Sequence, residues 1–206
     1  MNRIIKYINE RYAPLSIIVY GSYANDTNDE NSDFDALVIS SSHKKFHDTS
    51  FFEGIQLDIF VYPIETIDEN MNLSGFVQLI DSKVVFDTDN IGESLKSRVI
   101  SYIEKLPLKS HDDLKADIDW CTKMLARAKR GDAEGMFRFH WVLVDSLEVY
   151  SVMMQQFYRG PKKTLEWMKE NHSKAYMIYH KALSEFTIDS LSEWILYLRG
   201  LWDSYE

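Results

Sequence analysis

The sequence contains little cysteine, proline or glycine. Cys121 is the only cysteine among the 206 residues, which excludes an internal disulfide framework and a cysteine-rich zinc site. Four prolines and eight glycines exclude collagen-like and low-complexity classes. Five Trp, 12 Tyr and 11 Phe residues are too many for a disordered chain. The composition therefore predicts a folded protein of one or two domains with a sizeable core.

Long apolar runs are absent as well. No stretch approaches the roughly 18 residues that a membrane-spanning helix needs. The opening residues contain no apolar segment long enough for a signal peptide. Their apolar residues Ile4, Ile5, Ile8 and Tyr12 recur instead at helical spacing. We therefore expect a cytoplasmic protein with no membrane partner.

Positive charge is scarce in this chain. Lys and Arg number 23 against 32 Asp and Glu, which gives a net charge of −9. Residues 1–106 hold 9 basic and 17 acidic side chains, so most of the excess lies there. Sequence-independent binding of nucleic acid rests on Lys and Arg that neutralise phosphates, so we expect no nucleic-acid partner. A metal-bound nucleotide remains compatible, because the cation carries positive charge.

The pattern of the sequence changes near residue 107. Before it, short runs rich in Val, Ile, Phe and Tyr predict strands at 15–20, 36–40, 55–62 and 83–86. Segments with helical spacing lie between them at 64–70 and 75–80. After it, helices are predicted at 112–130, 133–158, 162–170, 173–186 and 188–204. The sequence thus predicts an α+β domain with a small mixed sheet over 1–106, followed by a helical bundle over 107–206.

A Gly-Ser pair ends the first predicted strand. Gly21 lets the backbone approach a ligand closely, and Ser22 opens a helix-like turn whose free N–H groups favour a phosphate. The loop at 25–31 is nearly all Asn, Asp, Glu and Thr, so it is a solvated connection. A lone Gly-Ser pair seldom binds phosphate, so its meaning depends on the residues that come after this loop.

Three acids lie on the next two predicted strands. Asp33 and Asp35 are two residues apart, so both carboxylates share one face of a strand and Phe34 takes the other. Two like charges side by side cost energy unless a cation bridges them, and Mg²⁺ prefers such oxygen ligands. Asp58 interrupts the next apolar strand and joins the pair if the two strands are neighbours. Three acids facing a phosphate turn predict a two-metal phosphoryl-transfer site.

Each acid also has a structural explanation. Asp33 alone can cap a turn, an Asp-x-Asp pair is often a solvated edge, and Asp58 can be a strand-edge acid. The complete series of strand, Gly-Ser, gap, Asp-Phe-Asp and a later strand acid seldom arises together by chance. We therefore interpret it as functional.

This series resembles the polymerase-β-like nucleotidyltransferase superfamily over about residues 15–62. With its helical second half, the whole chain is similar to the kanamycin and lincosamide nucleotidyltransferases, which are small bacterial enzymes. The resemblance implies that Gly21 and Ser22 hold ATP or another nucleoside triphosphate. It implies that Asp33 and Asp35 bind Mg²⁺, with two ions in the site. It also implies that Asp58 binds metal and helps to deprotonate the acceptor hydroxyl.

The resemblance extends to the loop between these motifs. Ser32 resembles a further phosphate-contacting serine of some members. The family motif often continues with an Arg after Gly-Ser-x-Ala, whereas Asn25 and Asp26 stand here. The implied reaction is transfer of a nucleoside monophosphate, expected to be adenylyl, to a hydroxyl of a small molecule. An aminoglycoside or a similar antibiotic is the acceptor that the resemblance suggests, and antibiotic resistance is the implied role.

The segment 133–158 is the most apolar predicted helix, and apolar residues cover most of its circumference. Arg138, Asp145 and Glu148 fall within one arc of it. This arc is either a narrow solvent face held by an ion pair, or the lining of an acceptor cleft. In the second case Glu148 or Asp145 acts as the catalytic base, and an acidic cleft suits a polycationic acceptor.

Two further features of the second half have open interpretations. Lys162 and Lys163, near a helix start, either reach triphosphate oxygens or are solvated. The aromatic residues near the end of the chain either form a homodimer contact or belong to the bundle core; they are Trp194, Tyr197, Trp202 and Tyr205.

Two other functions compete with transfer to a small molecule. One is a protein-adenylylating transferase similar to the minimal antitoxin-type members, and the other is a non-catalytic relict of the fold. Those minimal members usually lack a helical domain of about 100 residues, so the bundle favours a small acceptor bound between the domains. Retention of all three acids speaks against a relict.

Overall fold

The computed structural model describes residues 1–204 and divides into two compact units, Met1–Leu106 and Pro107–Glu206. The first unit is a mixed sheet with helices and the second is helical, so the predicted α+β class is confirmed. None of the helices within residues 1–204 combines the length and the apolar character that a membrane span requires.

The first unit contains six strands, three α-helices and two 3₁₀ segments. Its α-helices are α1 (Asn2–Tyr12), α2 (Gly21–Ala24) and α3 (Ile91–Glu104). Its strands are β1 (Pro14–Val19), β2 (Phe34–Ser40), β3 (Phe46–Asp48), β4 (Phe51–Phe52), β5 (Ile55–Pro63) and β6 (Lys83–Asp87). The 3₁₀ segments are Ile64–Thr66 and Leu73–Asp81.

The strands lie in the order β3-β5-β2-β1-β6, and β4 pairs with β5. β2 and β5 run parallel, whereas β1 is antiparallel to both β2 and β6. Side chains alternate between two apolar layers, as the period of a strand requires. One layer packs α1 against Ile17, Phe34 and Leu57. The other packs α3 and the second 3₁₀ segment against Ile18 and Leu37.

The second unit consists of helices over its described residues. They are α4 (His111–Ala128), α5 (Ala133–Met153), α6 (Pro161–Asn171), α7 (Ser173–Glu185) and α8 (Ile188–Asp203). Side-chain caps explain where several begin. Ser110 accepts a hydrogen bond from the Asp113 N–H at the start of α4, and Asp132 accepts one from Gly135 at the start of α5. Thr187 and Ser190 form a capping box on α8.

Some predicted elements were wrong in extent or in kind. The helix predicted at 133–158 ends at Met153, because Gln155 adopts a left-handed backbone with φ 54°. The helical spacing at 64–70 gives only the short 3₁₀ segment Ile64–Thr66. The strands β3 and β4 and the helix α3 were not predicted.

The late aromatic residues are mostly core of the second unit. Trp194 is fully buried and Trp202 nearly so, while Tyr197 is partly buried against the same cluster. Tyr205 lies outside the described residues. For the described residues the bundle-core interpretation therefore holds.

The hydrogen bond of the buried Trp194 indole can be tested by removing its acceptor. Its Nε1–H donates to Ser146 Oγ at 2.9 Å, and both side chains are fully buried. We expect Ser146→Ala to lower the free energy of unfolding by about 1–3 kcal/mol, because the indole N–H loses its acceptor. Ser184→Ala is the matched control, since the exposed Ser184 hydroxyl donates to the His180 carbonyl within its helix. Urea denaturation measures both variants, and the control should change the free energy of unfolding by no more than about 0.5 kcal/mol. An equal loss in Ser146→Ala and Ser184→Ala would contradict the prediction.

Candidate active site

The parallel pairing of β2 and β5 brings three acids together. Asp35 lies directly opposite Asp58 in the register, and Asp33 precedes β2 by one residue. Phe34 and Leu57 point to the other face and are fully buried. One carboxylate oxygen from each acid lies within 4.8 Å of the others. The structure thus places Asp33, Asp35 and Asp58 in one cluster.

The cluster is electrostatically strained when no cation is bound. Burial raises the pKa of Asp35 to about 7, and the charges of Asp33 and Asp58 and a hydrogen bond with Asp58 contribute in the same direction. A divalent cation relieves this repulsion, and hard cations such as Mg²⁺ prefer carboxylate oxygens. The three acids therefore fit a divalent metal site by their chemistry and spacing.

Gly21 forms the turn that follows β1, directly against the acid cluster. Its φ is +67°, a conformation that residues with a Cβ rarely adopt. A Cβ built on Gly21 would lie 2.1 Å from Asp35 Oδ2. The Tyr20 N–H donates to the Asp35 carbonyl oxygen at 3.1 Å, and Asn25 Nδ2 donates to the Gly21 carbonyl at 2.9 Å. The Gly-Ser turn and the Asp35 carboxylate are therefore in direct contact.

The two predicted phosphate-binding serines lie on either side of the polar loop. Ser22 is in α2, and its carbonyl accepts hydrogen bonds from the Asn25 and Thr27 N–H groups at 3.2 and 3.0 Å. Ser32 Oγ accepts from the Asp29 N–H at 2.9 Å and donates to Asp29 Oδ1 at 3.2 Å. The Ser32 hydroxyl therefore closes the end of the loop just before Asp33.

Tyr20 lines the acid cluster from the end of β1. It is buried, and burial, followed by the charges of Asp58 and Asp35, raises the pKa of its hydroxyl. The Tyr20 hydroxyl is therefore neutral beside the carboxylates.

A histidine that the sequence patterns did not reveal contacts the cluster. His47 lies on β3, and its Nε2 donates to Asp58 Oδ1. Its ring stacks on Phe60, with centroids 4.0 Å apart and an interplanar angle of 5°. β3 has only three residues, which is too short for a period-2 pattern, so the pairing of β3 with β5 is the signal that locates His47.

A lysine lies beside the position where the family motif often carries Arg. Lys83 begins β6 opposite Val19 of β1, and its Nζ pairs with Asp26 Oδ2 at 2.8 Å. Lys83 therefore lies close to the loop that follows the Gly-Ser turn.

The predicted acids of the second unit lie on an exposed side of α5. Asp145 accepts a hydrogen bond from Trp141 Nε1 at 2.5 Å, and Glu148 is exposed. Arg138 pairs with Glu134 at 3.5 Å. α5 also exposes four large apolar side chains, those of Met136, Phe137, Trp141 and Val144.

The predicted phosphate-binding lysines begin α6, also in the second unit. Gly160 precedes that helix with φ 83°, and Pro161 is its first residue. Lys162 is exposed, and Lys163 pairs with Glu166 at 3.5 Å. Lys163 therefore forms an ion pair within its own helix.

Comparison with known proteins gives a family match. The model of the nucleotidyltransferase domain family matches residues 1–115. No curated protein sequence matches the chain. The finer resemblance to kanamycin and lincosamide enzymes therefore stays a prediction.

Similar solved structures include three proteins. A nucleotidyltransferase-like protein from Exiguobacterium sibiricum 255-15 is 14% identical, with a TM-score of 0.40, and the match covers 98% of this chain and 73% of that one. A toxin-antitoxin with AMP-PNP is 20% identical, with a TM-score of 0.36, over 57% of this chain and 94% of that one. A mutant of the toxin-antitoxin MntA-HpeT is 18% identical, with a TM-score of 0.35 and the same two coverages.

We expect Asp35→Asn to stabilise the metal-free protein and to abolish its stabilisation by Mg²⁺. The raised pKa of Asp35 means that its ionised form costs stability above pH 7, and that this cost disappears as Asp35 takes up a proton on acidification. After allowance for solvent screening, we expect a gain of about 1 kcal/mol, or roughly 2–4 °C, at pH 8 in EDTA, and a smaller gain at pH 5.

Asp89→Asn is the control for this prediction, because Asp89 is exposed in the same unit and Asn tolerates its left-handed backbone. Thermal unfolding with and without Mg²⁺ gives both quantities. A lower melting temperature of Asp35→Asn in EDTA would contradict the proposed repulsion.

We expect Gly21→Ala to weaken binding of ATP with Mg²⁺ at least about tenfold. The added Cβ meets the Asp35 carboxylate and also strains the positive φ, so the turn or the acid must move. Gly75→Ala is the control, because a Cβ there meets no atom within 4 Å. Isothermal titration calorimetry measures both affinities, and wild-type affinity in Gly21→Ala would place the phosphates elsewhere.

Proposed function

This chain belongs to the nucleotidyltransferase domain family, and we propose that it transfers a nucleoside monophosphate, expected to be AMP from ATP, to a hydroxyl group of a small molecule. The observation that supports this proposal is the cluster of Asp33, Asp35 and Asp58 in contact with the turn at Gly21. Acids that share a cation, next to a backbone turn without a Cβ, suit a triphosphate bound with divalent metal.

The bonds of this reaction follow from its substrates. The acceptor oxygen forms a bond to the α-phosphorus of the nucleoside triphosphate, and the bond from that phosphorus to the bridging oxygen of the β-phosphate breaks. Pyrophosphate leaves in line with the attack, and the hydroxyl proton passes to a carboxylate base. A divalent cation, when bound, neutralises the charge of the phosphate oxygens.

The residues of the first unit take distinct roles in this proposal. Asp33 and Asp35 would hold Mg²⁺, for which we propose two ions, together with Asp58. Gly21 lets the turn lie against Asp35 and would present its backbone to the phosphates, and Ser22 would donate a hydrogen bond to them. Ser32 contributes a further phosphate contact once its hydroxyl turns away from Asp29.

Roles for the second unit are also proposed. Lys162 and Lys163 would bind triphosphate oxygens, as compact point charges do. Either Asp58 or one of the exposed acids Asp145 and Glu148 accepts the proton of the attacking hydroxyl. Exposure leaves both helical carboxylates accessible to an acceptor.

The acceptor class that we propose is a hydroxylated cation such as an aminoglycoside. The first unit carries an excess of eight acidic side chains, from 17 acidic and 9 basic residues, and this charge attracts a polycation. Transfer to a hydroxyl of a protein uses the same cluster and is the alternative. A non-catalytic relict of the fold is the third interpretation that an activity test distinguishes.

The test combines labelled ATP, GTP, CTP and UTP with Mg²⁺ and a panel of aminoglycosides and lincosamides. A product heavier by one nucleoside monophosphate, with release of pyrophosphate, supports the proposal. The same reaction with cell extract in place of the panel detects labelled protein, which would favour the alternative acceptor. Asp33→Asn is the control for both arms. No product in either arm, together with no binding of ATP, would leave the relict interpretation.

The base is tested by charge-neutralising variants. If Glu148 is the base, Glu148→Gln should lower turnover by at least about tenfold with little change in ATP binding, because general-base catalysis contributes about 10²–10⁴-fold. The same measurement applies to Asp145→Asn, and Glu170→Gln is an exposed control in the same unit. Unchanged turnover in both variants would leave Asp58 as the base.

A further inference from the structure

We infer that His47 is a positioning residue for the acid cluster, which holds the Asp58 carboxylate in the orientation that a divalent cation requires. This inference rests on the metal site of the proposed function. It adds a residue that lies outside the Gly-Ser and Asp-x-Asp pattern and belongs to a different strand.

The edge of the sheet places the imidazole beside Asp58. His47 is directly opposite Phe60 in the antiparallel pairing of β3 with β5, and Asp58 is the diagonal neighbour on the same face of β5. The imidazole stacks on the Phe60 ring almost in parallel, at a centroid distance of 4.0 Å. The stack fixes the plane of the imidazole and thereby directs Nε2 at Asp58.

The hydrogen bond has only one chemically sensible direction. An ionised carboxylate accepts hydrogen bonds and cannot donate them, so the Nε2 of His47 carries the hydrogen that Asp58 Oδ1 accepts. The Asp58 carboxylate therefore has a hydrogen-bond donor on the sheet edge, and this donor limits its rotation.

Such a partner matters more for metal affinity than for folding. The side chain of His47 is 40% exposed and that of Asp58 is 32% exposed, and exposed pairs contribute little to stability. Groups that orient a metal ligand typically change metal affinity by about 10–100-fold when they are removed. Loss of the His47 hydrogen bond should therefore lower the affinity for the cation and leave the stability of the fold nearly unchanged.

The experiment compares three substitutions at position 47 in the full chain, with Mn²⁺ and Mg²⁺ as the probes. His47→Phe keeps an aromatic ring on Phe60 but removes the donor. His47→Gln keeps a donor, because its amide nitrogen reaches the position of Nε2. His47→Asn is polar but too short, since its amide corresponds to Nδ1.

We expect the Kd for Mn²⁺, measured by electron paramagnetic resonance, to rise about 10–100-fold in His47→Phe and His47→Asn. His47→Gln should stay within about fivefold of wild type. The melting temperature in EDTA should stay near that of wild type for all three variants. Any transferase activity that His47→Phe loses should return at high Mg²⁺ concentration, whereas KM for the acceptor should not change.

Two results would overturn the inference. One is wild-type Mn²⁺ affinity in His47→Phe, and the other is a loss in His47→Gln as large as in His47→Phe. If His47→Phe unfolds in EDTA, the comparison between His47→Asn and His47→Gln decides by the same criteria. Asp35→Asn, measured in parallel, separates the two proposals. If it loses Mn²⁺ while His47→Phe does not, only this inference fails, whereas unchanged affinity in Asp35→Asn removes the metal site itself.

Discussion

The parallel pairing of β2 with β5 is the constraint on which the rest of the site depends. Its register places Asp35 beside Asp58, and the outer edge of β5 is left free to pair with β3 and so to receive His47. A slip of one residue would turn Asp58 into the apolar layer occupied by Phe34 and Leu57. Burial of those apolar side chains thus fixes the register that brings the carboxylates together.

The acid cluster shows how a fold supports an arrangement that is unfavourable by itself. Repulsion among Asp33, Asp35 and Asp58 is offset by apolar contacts on the opposite face of the same strands. A cation bound there, as proposed, would gain affinity from the repulsion that it relieves. If the cluster binds a cation as we propose, the first unit gives up some stability in the metal-free state for this function, as functional sites often do.

The sequence indicated the acids and the glycine of the site more fully than their surroundings. The Gly-Ser pair predicted the turn at Gly21, and strand alternation predicted that Asp33 and Asp35 share a face. Both predictions depend only on local backbone geometry. His47 was not found, because a three-residue edge strand has no readable period. The length of α5 was overestimated because apolar residues continue beyond Met153, where Gln155 takes a left-handed backbone. The roles predicted for Glu148 and Lys162 rest on no motif, and they stay predictions.

The close contact between Gly21 and Asp35 has a consequence for the form of nucleotide that the turn would accept under the proposed function. A phosphate that approaches the backbone at Gly21 also approaches the Asp35 carboxylate, since 2.1 Å is all that separates a virtual Cβ from Oδ2. Two anions brought this close repel each other unless a cation lies between them. If the turn binds a nucleotide as proposed, the turn and the acid would together disfavour nucleotides that carry no divalent ion. Occupancy of the proposed site by a nucleotide would then depend on the concentration of free magnesium.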